Sequence, residues 1–291
     1  MIDTIVVSGG GPNGVAQLGI IQTMIEKGHL DIAQVKHCYC VSAGSMLTCL
    51  MFFAPIKDIA DYVTTRPWKK WMKADFELLT DGKGLCDGNR FKEVLEPFFK
   101  AYDVPMDITF QQYHERFGVD LHINCTNVRT FNKRMFQRST DPDMAVTLAV
   151  CMSSALYPIF TPIEYGDSFY MDGGFSDNFP VEACFLDGCD PAKTLTLTLI
   201  GQQTGVDIPE GGINFLTYLF IGCMIRLQNH AVNMAAAEKA KYNMMFIGKP
   251  TFNVELWEMF LDDDPSPRKK LFDDGCSAAL TFLENFENEN V

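Results

Sequence analysis

Ser42 lies between small residues, where a predicted strand turns into a predicted helix. The turn reads Cys40-Val41-Ser42-Ala43-Gly44. A sharp turn of this kind exposes a serine hydroxyl above a sheet, where the serine can act as a nucleophile. Ala43 and Gly44 keep the turn tight, and the amino terminus of the following helix favours negative charge beside the serine. An isolated Ser-x-Gly is more often a helix cap, so the interpretation depends on partners elsewhere in the chain.

The loop Gly9-Gly10-Gly11-Pro12-Asn13-Gly14 follows another predicted strand. Glycines allow a backbone to approach a second atom closely and to direct its amides at one spot, as an oxyanion hole requires. Because Pro12 has no N–H, we expect Gly10 and Gly11 to supply the donors.

The same loop also fits G-x-G-x-x-G, the fingerprint of a dinucleotide site. Such a site requires an acidic residue at the end of the second strand, where it binds the ribose. That strand ends in Val41-Ser42-Ala43 instead. We therefore favour an oxyanion hole over a cofactor site.

Asp172-Gly173-Gly174 places a carboxylate at the end of a further predicted strand, beside two residues that leave room for a substrate or a second loop. Alone, this sequence usually forms only a turn. An activated serine, however, needs a base within hydrogen-bond reach. This requirement makes Asp172 a candidate partner of Ser42.

Alternating strands and helices are predicted to position these three loops. The predicted strands cover residues 4–7, 35–41, 120–127, 160–165, 168–171 and 194–200. The predicted helices cover residues 15–25, 45–53, 89–98, 144–155, 215–241 and 268–286. This order indicates an α/β fold with three α/β/α layers and a mostly parallel central sheet, in which functional groups collect at the carboxyl ends of the strands.

The composition is that of a folded protein, with 47% hydrophobic and 21% charged residues among 291. We expect a single domain over residues 1–291, with an excursion or lid at 58–88 and a polar tail at 287–291. The formal net charge of −13 disfavours a nucleic-acid partner, because binding nucleic acid requires a basic face.

The ten cysteines lack the paired spacing of a structural zinc site, as Cys38-x-Cys40 and Cys184-x4-Cys189 illustrate. Buried free thiols are the simpler interpretation. Because no signal peptide is visible either, we expect a reducing, cytoplasmic location. The most apolar stretch, residues 215–225, has about half the ~20 residues that a membrane span requires, so we expect a soluble or peripheral protein.

Together the three loops resemble those of the patatin-like phospholipase family. That family carries a G-G-G-x-[K/R]-G loop, G-x-S-x-G and an Asp-Gly-Gly or Asp-Gly-Ala turn, in the order found here. Lesser similarities occur at Gly84-Leu-Cys-Asp-Gly88, at residues 149–158 and at Asp177-Asn-Phe-Pro-Val181. The resemblance covers roughly residues 4 to 200.

The resemblance implies a serine hydrolase that acts on phospholipids or neutral lipid esters without a cofactor or metal. Ser42 would be the nucleophile and Asp172 the general base of a dyad that needs no histidine. Gly10 and Gly11 would bind the oxyanion. The residues that support these motifs would be Gly9, Gly14, Cys40, Gly44, Gly173 and Gly174.

Two positions depart from the family pattern. Cys40 replaces the first glycine of the serine turn, and Asn13 replaces the basic residue of the glycine loop. Cys40 adds a side chain where a helix often packs closely, and Asn13 removes a charge that would attract phosphate. These changes leave open a second hypothesis, a lipid-binding or interaction protein that keeps the fold without turnover.

A Ser-Asp-His triad of the α/β-hydrolase kind is a third hypothesis, because His230 follows Asp172 along the chain. Ser42 lies very early for that fold, and His230 falls within a predicted helix. We therefore favour the dyad.

Trp68-Lys69-Lys70-Trp71-Met72-Lys73 is the one basic and aromatic cluster in an acidic chain. This composition suits a peripheral contact with a membrane interface. The alternative, which we favour, is a solvated helix end with its tryptophans turned inward, because tryptophan is usually largely buried.

Overall fold

A computed structural model gives the structure of the protein and describes residues 1–72, 75, 77–78, 81, 84–201, 234–249, 251 and 253–289. The strands of this part are β1 (Thr4–Val7), β2 (His37–Val41), β3 (Asp120–Asn127), β4 (Lys133–Gln137), β5 (Ile163–Tyr165), β6 (Ser168–Asp172), β7 (Thr194–Gly201) and β8 (Tyr242–Gly248). They form one mixed sheet in the order β5-β6-β3-β2-β1-β7-β8, with β4 paired to β3 beside that path.

Five neighbouring strands, from β3 through β2, β1 and β7 to β8, run parallel. β4 and β6 pair antiparallel with β3, and β5 pairs antiparallel with β6.

The helices of the described residues are α1 (Gly14–Glu26), α2 (Ala43–Leu50), α3 (Ile56–Thr65), α4 (Trp68–Trp71), α5 (Phe91–Ala101), α6 (Phe110–Phe117), α7 (Val146–Ser154), α8 (Val181–Leu186), α9 (Met234–Ala237), α10 (Val254–Leu261) and α11 (Ser266–Glu289).

The two faces of the sheet carry hydrophobic cores of different size. On one face, Ile5 and Val7 of β1 join a large cluster with residues of α1, α2, α3, α5 and α11. On the other face, Val6 and Tyr39 pack against α8 and the alanines of α9. Because successive side chains of a strand point to opposite faces, β1 contributes to both cores. The helices on both faces confirm the three-layer α/β/α fold.

Helices α1 and α11 cross in close contact. A Cβ atom on Gly19 would lie 2.9 Å from the backbone nitrogen of Cys276, and a Cβ atom on Gly275 would lie 2.9 Å from the Cα atom of Ala16. Such distances are too short for a side chain, so the two glycines allow the helix backbones to touch.

Several predicted elements are confirmed to within a few residues, and others are corrected. β2 begins at His37 rather than at residue 35, because residues 32–34 form a 3-10 turn. β4 and β8 were not predicted, so β7 is not the last strand of the sheet. Of the helix predicted over residues 215–241, residues 215–233 lie outside the described residues, and only α9 is helical in the remainder.

The structure describes parts of the suggested lid and of the polar tail. The suggested lid begins with α3 and α4, whose apolar residues belong to the large core, although several residues between 73 and 83 lie outside the described part. Residues 287–289 of the polar tail continue α11.

Buried free thiols are confirmed for seven of the nine described cysteines, and Cys223 lies outside the described residues. Within the described part of the chain, every helix is too short or too polar to cross a membrane.

Candidate active site

Ser42 forms the sharp turn between β2 and α2. Its backbone has a φ of 52° and a ψ of −126°, in a region that residues other than glycine seldom adopt. The N–H of Ser42 donates to Ser153 Oγ at 2.9 Å, and the carbonyl oxygen of Ser42 accepts from Ser45 Oγ at 2.6 Å. These two hydrogen bonds help to hold a backbone conformation that is costly by itself.

Gly44 and Cys40 flank this turn. A Cβ atom on Gly44 would lie 2.7 Å from the carbonyl oxygen of Ser8 and 2.8 Å from Val7 Cγ1, so α2 can begin this close to β1 only with glycine. Cys40 is fully buried, and burial raises the pKa of its thiol to about 12. The thiol donates to the carbonyl oxygen of His122 at 3.6 Å. The cysteine that replaces the family glycine is therefore a neutral, packed side chain.

Asp172 ends β6 and is 2% exposed. Its Oδ2 accepts a hydrogen bond from Ser42 Oγ at 2.5 Å, and its Oδ1 accepts one from the N–H of Gly174 at 2.8 Å. Burial raises the pKa of Asp172 to about 6, although both hydrogen bonds act to lower it. A carboxylate of raised pKa in direct contact with a hydroxyl can accept the proton of that hydroxyl.

Asn124 and Ser153 connect the serine turn to the aspartate turn, and the sequence analysis did not identify either residue. Ser153 Oγ, which accepts from the N–H of Ser42, donates to the carbonyl oxygen of Asn124 at 2.6 Å. Asn124 Nδ2 donates to the carbonyl oxygens of Gly173 at 3.1 Å and Asp177 at 2.9 Å. Both side chains are fully buried. In the sequence, Asn124 could be noticed only as a polar residue near the end of a buried strand, and Ser153 only as a serine within an apolar helix.

The glycine loop passes directly beside Ser42. A Cβ atom on Gly9 would lie 3.0 Å from Ser42 Cβ and 2.6 Å from Asn178 Oδ1. The N–H of Gly9 donates to the carbonyl oxygen of Asn178 at 3.3 Å. For the N–H groups of Gly10 and Gly11, the described part of the chain provides no acceptor.

Asn13 connects the glycine loop to the end of β8. Its Nδ2 donates to the carbonyl oxygen of Lys249 at 2.8 Å, and its side chain leaves no room for a Cβ atom on Gly248. Gly14 is equally constrained, since a Cβ atom there would lie 2.8 Å from Ala43 Cβ. Asn13 thus anchors the loop to the sheet, at the position where the family carries a basic side chain.

A cavity of about 900 Å³, including its mouth, is lined in part by Ser42 and Gly11. It extends among α1, α2, α3, α5 and α10. Of the described residues that line it, none is charged, and the polar side chains are those of Ser42 and Ser154. Apolar side chains such as Met46 and Phe98 form the remaining wall. This lining suits a hydrocarbon chain.

Trp68 and Trp71 belong to the wall of this cavity. They are 3% and 7% exposed, and their indole N–H groups donate to backbone carbonyls at 2.7 and 3.3 Å. Lys69 and Lys70, between them, are exposed, and Lys73 lies outside the described residues. The interpretation favoured from the sequence, with both tryptophans turned inward, is therefore confirmed.

The triad hypothesis depends on His230, which lies outside the described residues. In the described part of the chain, Asp172 bonds directly to Ser42, and no histidine donates to or accepts from either side chain.

The mixed sheet, its two helical layers and the three loops around Ser42 define an α/β/α protein with a hydrolase-like site. A family model described as patatin-like phospholipase matches residues 5–185, so the chain belongs to the patatin-like phospholipase family. The crystal structure of VipD from Legionella pneumophila shares the fold, with a TM-score of 0.66 at 16% identity over 98% of this chain and 67% of that chain.

Two viral proteins are related in sequence. Probable lipid hydrolase 463L of Invertebrate iridescent virus 6 is 25% identical over 184 residues, which is 62% of this chain and 62% of that protein. Uncharacterized protein R571 of Acanthamoeba polyphaga mimivirus is 25% identical over 210 residues, which is 71% of this chain and 68% of that protein. The chain thus spans less than two thirds of the length of 463L.

Proposed function

We propose that the protein is a lipid acyl hydrolase of the phospholipase A or lysophospholipase type, a serine esterase with Ser42 as nucleophile and Asp172 as general base. The observation that carries this proposal is the 2.5 Å hydrogen bond between Asp172 Oδ2 and Ser42 Oγ, where Ser42 lines an apolar cavity. Family membership and the printed name of the relative 463L, a probable lipid hydrolase, support the same substrate class.

In the proposed acylation step, Asp172 Oδ2 accepts the proton of Ser42 Oγ as this oxygen attacks the ester carbonyl carbon. Asp172 then returns the proton to the leaving alcohol. In deacylation, the same carboxylate removes a proton from water, which attacks the acyl-serine and releases a fatty acid. Asp172 thus alternates between base and acid without a histidine, and the raised pKa of its carboxyl suits both roles.

Negative charge develops on the ester oxygen in both steps and requires hydrogen-bond donors. We assign this role to the N–H groups of Gly10 and Gly11, which have no acceptor among the described residues. Gly9 fixes the loop through Asn178, and Asn13 fixes it to β8. The donors would therefore be oriented before the substrate binds.

The apolar cavity is proposed to bind the acyl chain of the substrate. Burial of a hydrocarbon chain contributes about 0.8 kcal/mol for each CH₂ group. A phospholipid or neutral lipid would thus place its chain among side chains such as Trp71 and Phe98, with its ester at Ser42. The headgroup would remain outside, so the cavity itself does not select among lipid classes.

We further propose that residues 1–291 act as one catalytic domain of cytoplasmic location, without a nucleic-acid partner.

Peripheral contact with a lipid surface would depend on the exposed Lys69 and Lys70, since the neighbouring tryptophans are buried. Replacement of both lysines by glutamate should lower turnover on anionic vesicles and leave turnover of a soluble ester unchanged. Equal turnover on anionic vesicles before and after the replacement would remove this contact from the proposal.

The test of the proposed reaction is covalent labelling by a fluorophosphonate, with ester turnover measured on phospholipid, lysophospholipid and triacylglycerol. We expect wild type to be labelled and active, and Ser42→Ala to be neither. Ser154→Ala is the matched control, because Ser154 lines the same cavity without a hydrogen-bond partner for its hydroxyl among the described residues. Lipid binding by an unlabelled, inactive wild type would instead favour the lipid-binding hypothesis.

A further inference from the structure

Cys184 lies in the last turn of α8 and Cys189 follows the end of that helix, and neither takes part in the proposed reaction. The helix ends in a Schellman motif, in which the N–H of Cys189 donates to the carbonyl oxygen of Cys184 at 3.2 Å and the N–H of Gly188 donates to that of Phe185 at 3.1 Å. Gly188 has a φ of 91°, as the motif requires of the residue after the cap.

A Schellman motif brings two particular side chains together. The residue three positions before the cap and the second residue after it commonly make a hydrophobic contact. In this protein those residues are Cys184 and Cys189, and Cys189 packs against the small core to which Cys184 belongs. The backbone geometry of the helix end therefore directs the two thiols toward each other.

The surroundings differ between the two sulfurs. Cys184 is buried in the smaller core, whereas Cys189 is partly exposed and lines a second cavity, at the amino ends of β1 and β2. The sulfur of Cys189 lies 3.8 Å from Tyr39 Oη, which donates to Asp187 Oδ2 at 2.8 Å. Hydrogen bonding from Cys184, aided by the nearby His37, holds the pKa of Cys189 below its usual range, against the effect of burial.

We propose that Cys184 and Cys189 form a redox-active dithiol, a modification site that hydroperoxides oxidise to a disulfide. Reactive cysteines are accessible and have hydrogen-bonded or positively charged neighbours, which is the situation of Cys189. A second thiol beside such a cysteine acts as the resolving partner, which is the position of Cys184. The site lies at the opposite end of β2 from Ser42 and uses none of the residues assigned to ester hydrolysis.

The chemistry balances with a hydroperoxide as the oxidant. The thiolate sulfur of Cys189 attacks one peroxide oxygen, the O–O bond breaks, and the other oxygen takes up a proton and leaves as water or an alcohol. Cys189 is then a sulfenic acid. The sulfur of Cys184 attacks the sulfenic sulfur, the S–O bond breaks, and the departing hydroxide takes the thiol proton to leave as water. Two thiols lose two electrons in total, and the peroxide gains them.

The test is stoichiometric oxidation of the reduced full-length chain by hydrogen peroxide, followed by alkylation of the remaining thiols in denaturant. Chymotrypsin cleaves after Phe185 and Leu186, so it separates the two cysteines unless a disulfide links them. We expect mass spectrometry to detect one linked pair of peptides, which separates on reduction. The expected rate of oxidation of Cys189 is about tenfold that of Cys276, which is also partly exposed but whose thiol has a pKa raised by burial.

Variants identify the role of each thiol. Cys189→Ser should give no linked pair, and Cys184→Ser should stop at a sulfenic acid on Cys189 that dimedone traps. Cys276→Ser is the matched control and should form the linked pair like wild type. Oxidation of Cys189 no faster than that of Cys276, or loss of thiols without a linked pair, would overturn the proposal. None of these measurements depends on ester turnover, so the outcome is independent of the proposed function.

Discussion

Asp172 and Cys189 each have hydrogen-bond partners, yet their pKa values shift in opposite directions. Asp172 is 2% exposed, and burial outweighs the donors Ser42 Oγ and the N–H of Gly174, so its pKa rises to about 6. Cys189 is partly exposed, and its neighbours outweigh burial, so its pKa falls. The comparison shows that a donor alone does not set the direction, because the extent of burial decides whether the donor prevails.

The difference also separates two kinds of reactivity. A deeply buried carboxylate that ionises with difficulty is a stronger base toward a bound hydroxyl. A partly exposed sulfur with stabilised charge is instead available to reagents from solution. We therefore expect Asp172 to act only on groups brought to it within the site, and Cys189 to react with small molecules directly.

The largest expected effect is that of Asp172→Asn on turnover. The amide cannot accept the serine proton, so we expect kcat to fall by about 10³-fold or more. Asp177→Asn is the matched control, because Asp177 is also buried with a raised pKa but pairs with Lys133 at 3.1 Å rather than with Ser42. Similar losses in both variants would show that buried charge, rather than proton transfer, limits turnover.

The pH dependence of turnover should follow the pKa of Asp172. Its carboxyl must be ionised to accept a proton, so kcat/KM should fall about tenfold per pH unit below a pH of about 6. Turnover should be measured on a neutral, water-soluble ester between about pH 4.5 and 8, because such a substrate does not itself titrate in this range. A profile that stays flat down to pH 5 would contradict the assignment.

Asp172→Asn should also stabilise the fold at neutral pH. The pKa of Asp172 in the folded state is about 6, above the usual 3.8, so the protonated carboxyl stabilises the fold. This contribution to the free energy of unfolding is lost as the pH rises through 6. The neutral amide avoids this loss, so we expect the free energy of unfolding to rise by about 2 kcal/mol at pH 7.5. Urea denaturation at pH 7.5 and at pH 4 should show a gain that disappears at the lower pH. A gain of the same size at both values would point to packing instead of charge.

The smallest expected effect is that of Tyr39→Phe on Cys189. The hydroxyl of Tyr39 donates its proton to Asp187 and accepts from the thiol of Cys189, so its loss should lower the pKa of Cys189 further. Alkylation of Cys189 by iodoacetamide at pH 7 should then become about two- to threefold faster. The ring stacks on His122 with centroids 4.0 Å apart, and phenylalanine retains that contact. Slower alkylation in the variant would contradict the assigned direction of this hydrogen bond.

The three loops of the site could be predicted from the sequence because each depends on residues next to one another in the chain. The glycine loop and Ser42 follow β1 and β2, and the parallel order of these strands places their carboxyl ends at one edge. Asp172 ends β6, which pairs antiparallel with β3. Asn124 and Ser153 could not be assigned in this way, since their roles depend on contacts between β3, α7 and two turns that are distant in sequence.

The orientation of the Trp68 and Trp71 side chains could not be predicted from the sequence either. The composition of α4 is compatible with tryptophans that face either a membrane or a core, and only the packing of Trp68 against Phe260 and of Trp71 against Phe160 distinguishes the two.

Strand β8 could not be predicted because its exposed residues are as hydrophobic as its buried ones, so the sequence shows no alternation. Its Met245 and Ile247 are exposed, whereas Met244 is buried.

The close crossing of α1 and α11 has a consequence for biosynthesis. α1 directly follows the glycine loop, but the helix that packs on it through Gly275 is made some 250 residues later. While the ribosome is still extending the chain, α1 lacks that cover, and contacts so remote in sequence also form slowly. We therefore expect a nascent chain to acquire the proposed esterase activity only once α11 has emerged from the ribosome.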